Sequence, residues 1–157
     1  MNKYELTTET KVVNGTKLFR IKALKSFGDV TEGQKGGWIG REWNLAQSGN
    51  AWVYDRAQVF GSARVFDSAR VYDRAVVYGE ALVYGDARVQ GRARVFDRAR
   101  VYGDAQVRGN AQVFGRARVF GRARVYDNAL VFGDARVTGS TRVFGNGLVY
   151  GILGVVE

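Results

Sequence analysis

From residue 51 to the C-terminus the apolar and polar positions recur with a period of six. Valine stands at every sixth position from Val53 to Val155, with alanine two residues before it from Ala51 to Ala135. Gly or Asp stands two residues after each valine through Gly151. Six residues suit neither an amphipathic helix nor a long alternating strand. Within a hexad, however, Ala and Val are two apart and share one side of an extended chain. The residue between them, most often Arg, and the aromatic residue after Val share the other side. The Gly or Asp that follows tolerates a left-handed backbone and turns the chain. Each hexad therefore predicts a short strand and a corner, and three corners close a triangular coil of eighteen residues. So narrow a triangle has room for Val and Ala at its axis, which leaves Arg and the rings outside. One coil buries three valines, worth roughly 1.5–3 kcal/mol each. Ordering its backbone costs on the order of 18–36 kcal/mol. Such a coil is stable only when stacked on neighbours and capped at its ends.

The pattern Ala-x-Val-x-Gly/Asp-x resembles the hexapeptide-repeat, left-handed parallel β-helix proteins. That resemblance implies an all-β, single-stranded, left-handed parallel β-helix; the handedness comes from the resemblance and not from the period. This chain departs from the family's pattern in the aromatic residues after Val, where enzymes of the family more often carry Gly or an acidic residue. Lys25-Ser-Phe-Gly-Asp-Val30, Gly36-Gly-Trp-Ile39 and Asn44-Leu-Ala-Gln-Ser-Gly-Asn-Ala-Trp-Val-Tyr54 are similar to the opening of uncharacterised, transferase-like β-helix proteins of phages and enteric bacteria. A phage-encoded protein is the resulting expectation.

Residues 1–37 do not repeat and are expected to form a capping segment, with the β-helix over 38–157. Asn14-Gly15 between apolar-rich runs predicts a β-hairpin, and a strand is expected from Leu18 to Leu24. Gly33-Gln-Lys-Gly-Gly37 lacks the Gly-Lys-Ser/Thr order of a phosphate-binding loop. Ile39 and Leu45 are six apart but Leu45 and Val53 eight apart, which places a two-residue insertion near Ser48-Gly49. At the other end Thr141, Gly147 and Leu153 replace the axial alanine, and Gly151–Val156 is apolar: a plug for the last coil, or an end that meets a partner.

Composition changes this picture in three ways. The 157 residues carry 24 Lys and Arg against 15 Asp and Glu, a formal charge of +9. That suits an acidic protein, a nucleotide or nucleic acid, or simply a surface kept soluble by like charge. Cysteine is absent, so thiolate metal sites and disulfides are excluded; neither a metal nor a cofactor is expected. No apolar run approaches a membrane span, and the N-terminus lacks the basic and apolar regions of a signal peptide. A cytoplasmic protein without membrane partners is expected.

Taking every third hexad sorts the outward residues into three faces. On the second face Phe60, Tyr78, Phe96, Phe114, Phe132 and Tyr150 form an unbroken aromatic column, beside which stand the apolar Val76, Leu130 and Leu148. So extensive an apolar strip marks an interface between copies, a dimer or trimer; rings stacked within one chain would also explain it. Arg70, Arg88, Arg124 and Arg142 line the first face and Arg64, Arg100, Arg118 and Arg136 the third, both candidate anion sites. Asp86 and Asp104 are expected to supply part of their countercharge. Histidine is absent, so neither the catalytic base of this family's acyltransferases nor the zinc ligands of its carbonic anhydrases have a counterpart. No insertion interrupts residues 51–157 to supply an active-site loop. The expectation is a non-enzymatic binding or scaffold protein that self-associates through the aromatic face. A basic module for an anionic ligand or nucleic acid comes next, and an inactive or unrecognised transferase third.

Overall fold

The computed structural model describes residues 1–150 and the strand Gly154–Val155. The expected C-terminal plug, or apolar end, falls on residues 151–156 and so lies largely outside the described residues. A β-hairpin opens the chain: β1 (Tyr4–Val13) pairs antiparallel with β2 (Thr16–Ala23). Asn14 and Gly15 turn it with φ of 49° and 81°, angles that Asn and Gly adopt most readily. Next comes β3 (Lys35–Ile39), which runs across the expected boundary at residue 37. It pairs antiparallel with β2 and parallel with Gln58–Val59 of the first regular coil. Apart from a 3-10 turn at Glu42–Asn44, the rest of the described chain is a series of two-residue strands, one per hexad, from Trp52–Val53 to Gly154–Val155.

These strands pair with the strand eighteen residues on, so that valine stacks on valine, as in Val77–Val95–Val113–Val131. The three faces are three sheets, of nine, six and six strands, parallel throughout the coils. The nine-stranded sheet is the second face, which β3, β2 and β1 extend beyond the first coil. The result is a left-handed parallel β-helix with an N-terminal hairpin. Ile39 pairs with Val59 and Leu45 with Val65, a separation of twenty residues, whereas Val53 pairs with Val71, a separation of eighteen. The two extra residues of the first coil are therefore where the spacing put them.

The axis is filled by valine and alanine, fully buried from Ala51 to Val137. At each corner the residue two after valine has positive φ: glycine in most hexads, Asp55, Asp67, Asp73, Asp97 and Asp127 in the others. The open start of the helix is closed by polar groups from the cap. The amine of Lys3, 1 % exposed, donates to the carbonyl oxygens of Ala51 (2.8 Å), Gly49 (3.3 Å) and Ser48 (3.4 Å). The Tyr4 hydroxyl donates to the carbonyls of Leu45 (2.6 Å) and Glu42 (2.8 Å). Trp52, which holds the outward position of the first hexad, is fully buried beneath the cap, edge-on to Tyr4 and Phe27. Gly36 and Gly37 let β3 approach, since a Cβ on either would lie 2.6 Å from a backbone oxygen of the coil beneath.

Candidate functional site

The aromatic column of the second face is stacked on itself. Successive rings from Phe60 through Tyr78, Phe96 and Phe114 to Phe132 have centroids 4.9–5.3 Å apart and planes within 8° of parallel. Tyr150 continues the stack at 5.5 Å. Each ring thus covers the face of the next, and Phe60 to Phe132 are half-buried. Val76 and Leu130 beside them are half-buried as well, while Leu148 and Tyr150 at the far end are exposed. The third face carries a second stack, Phe66–Tyr84–Tyr102–Phe120, at 4.8–4.9 Å, which was not singled out from the sequence. With both faces of the inner rings covered, neither stack offers a platform for a nucleic-acid base, the contact on which binding of a single strand depends.

The Arg columns are set by the strand register: Arg70 stands beside Arg88, Arg124 beside Arg142, and Arg100 beside Arg118 and then Arg136. Leu82 separates Arg64 from Arg100, and Gln106 separates Arg88 from Arg124. Arg70 reaches the carboxylate of Asp29 at 3.6 Å. The other seven have no carboxylate within ion-pair distance among the described residues, so Asp86 and Asp104 do not supply the expected countercharge. Nor are the aspartates of positive φ free to do so. The carboxylate of Asp97 accepts the backbone N–H of Gly115 one coil on at 3.1 Å, and Asp55, Asp67, Asp73 and Asp127 do the same for their neighbours at 3.0–3.3 Å.

Asp86 and Asp104 come one residue after the turning glycine and are exposed. They stand on consecutive coils where the third face turns into the first, above and beside Arg88. With Asn50, Ser68, Arg70 and Gln106 they line an open trough of about 500 Å³. Its floor is rigid: the N–H groups of Asp86, Arg88 and Asp104 donate at 2.8–3.0 Å to carbonyls of the next coil. Two carboxylates, two guanidiniums and a serine hydroxyl thus face one concavity without a loop insertion. Among the described residues no group of acidic residues is arranged to hold a metal ion.

Two comparisons with known proteins bear on this surface. Residues 93–109 and 123–137 match the YdcK beta solenoid repeat, and the first of these segments includes Asp104 and Gln106 of the trough. A protein of Escherichia coli (strain K12) named "Uncharacterized acetyltransferase YdcK" is 45% identical over 64 residues, 36% of this chain. The chain spans about a fifth (20%) of that relative's length. These findings overturn the expectation of a phage-encoded, non-enzymatic scaffold, since the similarity is to a bacterial protein named as an enzyme. The exclusion of enzymes rested on absent histidine and absent loops. It failed because a carboxylate also takes up a proton, and because the corner itself makes a concavity. Stacked eighteen-residue coils and inward valines make the chain a hexapeptide-repeat-like parallel β-helix, and within it residues 93–109 and 123–137 are similar to the YdcK beta solenoid repeat.

Proposed function

We propose that this chain is the β-helix of an acetyltransferase and that the trough at Asp86, Arg88 and Asp104 is where the acetyl group changes hands. The similarity to the relative named as an acetyltransferase supports the reaction class. The single observation that supports the place is the trough itself, which brings carboxylates and guanidiniums together. An acceptor amine or hydroxyl attacks the carbonyl of a thioester donor, and a new C–N or C–O bond forms. Asp86 or Asp104 takes the proton that the acceptor loses. The tetrahedral oxyanion is stabilised by a guanidinium, Arg88 or Arg70, positioned before the reaction begins. Collapse breaks the C–S bond, and the thiolate leaves to recover a proton from the carboxylic acid or from water. The phosphates of a donor such as acetyl-coenzyme A suit the remaining arginines of the first face, because a guanidinium binds phosphate through two N–H groups at once.

Calorimetric titration of the protein with acetyl-coenzyme A tests the assignment. Arg124→Ala with Arg142→Ala is expected to weaken binding by about tenfold or more, as loss of charge-assisted hydrogen bonds does. Arg64→Ala with Arg136→Ala on the third face, an equal change in charge, is expected to leave it within about threefold. Equal losses from both pairs would remove the first face as the donor site.

A further inference from the structure

The corner where the first face turns into the second is unlike the other two. The last residue of its hexads is Arg56, Arg74 and Arg92 on three successive coils, followed by Asn110, Asn128 and Asn146. At the corner between the second and third faces the same position mixes signs, and Glu80 meets Arg98 at 3.1 Å. Here nothing does so. Arg56, Arg74 and Arg92 are exposed and have no ion pair among the described residues. The two aspartates in the same groove, Asp55 and Asp73, spend a carboxylate oxygen on backbone N–H groups at 3.3 and 3.0 Å.

The ladder cannot relax along the axis. The N–H groups of Arg56, Arg74 and Arg92 donate at 3.0, 2.9 and 2.8 Å to the coil that follows, which fixes the side chains at the coil rise. Lys11 of the hairpin, its amine 4.5 Å from the centre of the Trp38 ring, lies within electrostatic reach of Arg56. Its basicity is lowered first by burial and then by the charges of Arg20 and Arg56. Like charges held in register one coil apart repel one another, so the free protein is left with an interaction that an anion would relieve. Beyond Arg92 the ladder turns neutral, and the Asn110 amide donates to the Asn128 side-chain oxygen at 3.2 Å. The groove beside the arginines holds about 600 Å³.

We propose that this corner binds a linear acidic polysaccharide with one carboxylate per sugar, lying parallel to the helix axis. A sugar unit advances by about one coil rise and successive units turn over, so the carboxylates of alternate units meet Arg56 and Arg92, two coils apart, and the long side chain of Arg74 reaches around the chain to the carboxylate between them, each held by a guanidinium fork. Hydroxyl groups of the following units meet the amides of Asn110 and Asn128, which both donate and accept. DNA places its phosphates about 3.4 Å apart along each strand, out of step with coils that stack about 4.8 Å apart. The proposal rests on this corner alone and is independent of the transfer reaction.

The test is a calorimetric titration of the whole chain with a hexamer of galacturonate at low salt. Binding is expected. Changing Arg56, Arg74 and Arg92 together to Gln is expected to weaken it about tenfold or more, because each removes a charge-assisted pair. Changing Arg64, Arg100 and Arg136 to Gln, the same loss of charge, is expected to weaken it less than about threefold. Arg74→Gln without ligand is expected to unfold at the same temperature as the unmodified protein or higher, which shows both that it folds and that Arg74 does not serve the stability of the coil. Absence of binding to the unmodified protein, equal losses from the two triple variants, or equal affinity for a hexathymidylate would each overturn the proposal. So would a lower unfolding temperature for Arg74→Gln.

Discussion

Asp97 has φ of 57° and accepts the N–H of Gly115 from the next coil. At this position a residue other than glycine is strained, and the carboxylate returns part of that cost as a hydrogen bond to a donor that the ladder leaves over. Asp97→Ala keeps the strain and loses the bond. It is expected to lower the unfolding free energy by about 1–3 kcal/mol, and Asp97→Asn by less than half as much, as read from urea denaturation. Lys3 makes a prediction about pH. Burial first, and then the charge of Lys25, lower its pKa in the folded protein from 10.5 to about 8. Between these values the unfolded chain holds a proton that the folded one has released, so stability rises with pH from about 8. Above about 10 the hydroxyls of Tyr4, buried, and Tyr54, half-buried and bonded to Asp29, whose pKa values are raised first by burial, oppose the trend. From pH 8 to 10 the protein should therefore gain stability relative to Lys3→Met, by an amount on the order of 2 kcal/mol. Parallel stability curves for the two proteins would show that Lys3 stays protonated.

At the scale of strands and stacks, Phe96 lies between Tyr78 at 5.0 Å and Phe114 at 4.9 Å. Phe96→Ala breaks two stacks and is expected to cost about 1–3 kcal/mol, whereas Phe60→Ala, which breaks one, should cost about half of that in the same denaturation experiment. The hexad made the β-helix legible because its two constraints are local. Valine must fit the axis, and Gly or Asp must turn the corner. Even the two extra residues near Ser48-Gly49 could be read from a broken valine spacing. The cap was legible only as a cap. Nothing in Lys3 or Tyr4 announces that they will satisfy carbonyls more than forty residues away, because that depends on how the hairpin docks. Trp52 escaped for the same reason: its place in the hexad says outward, and the hairpin above it makes that place interior.

The whole molecule is a rigid prism whose surface chemistry is set by columns. Columns can be read from the sequence, as the aromatic and arginine columns were. What joins columns from two neighbouring faces across a corner is harder to see. Asp86 and Asp104 belong to the end of one hexad column and Arg88 to the middle of the next, so that no linear motif marks the trough. Their meeting is the basis for placing the proposed acetyl transfer in the trough, and the proposal is tested most directly by turnover. Release of thiol from acetyl-coenzyme A should be followed with a panel of amine and hydroxyl acceptors, for the unmodified protein and for Asp86→Asn with Asp104→Asn. Acceptor-dependent release that falls by about a hundredfold or more in the double variant, the usual scale for loss of a general base, is the expected result. Release that no acceptor stimulates, or that the double variant sustains undiminished, would contradict the assignment.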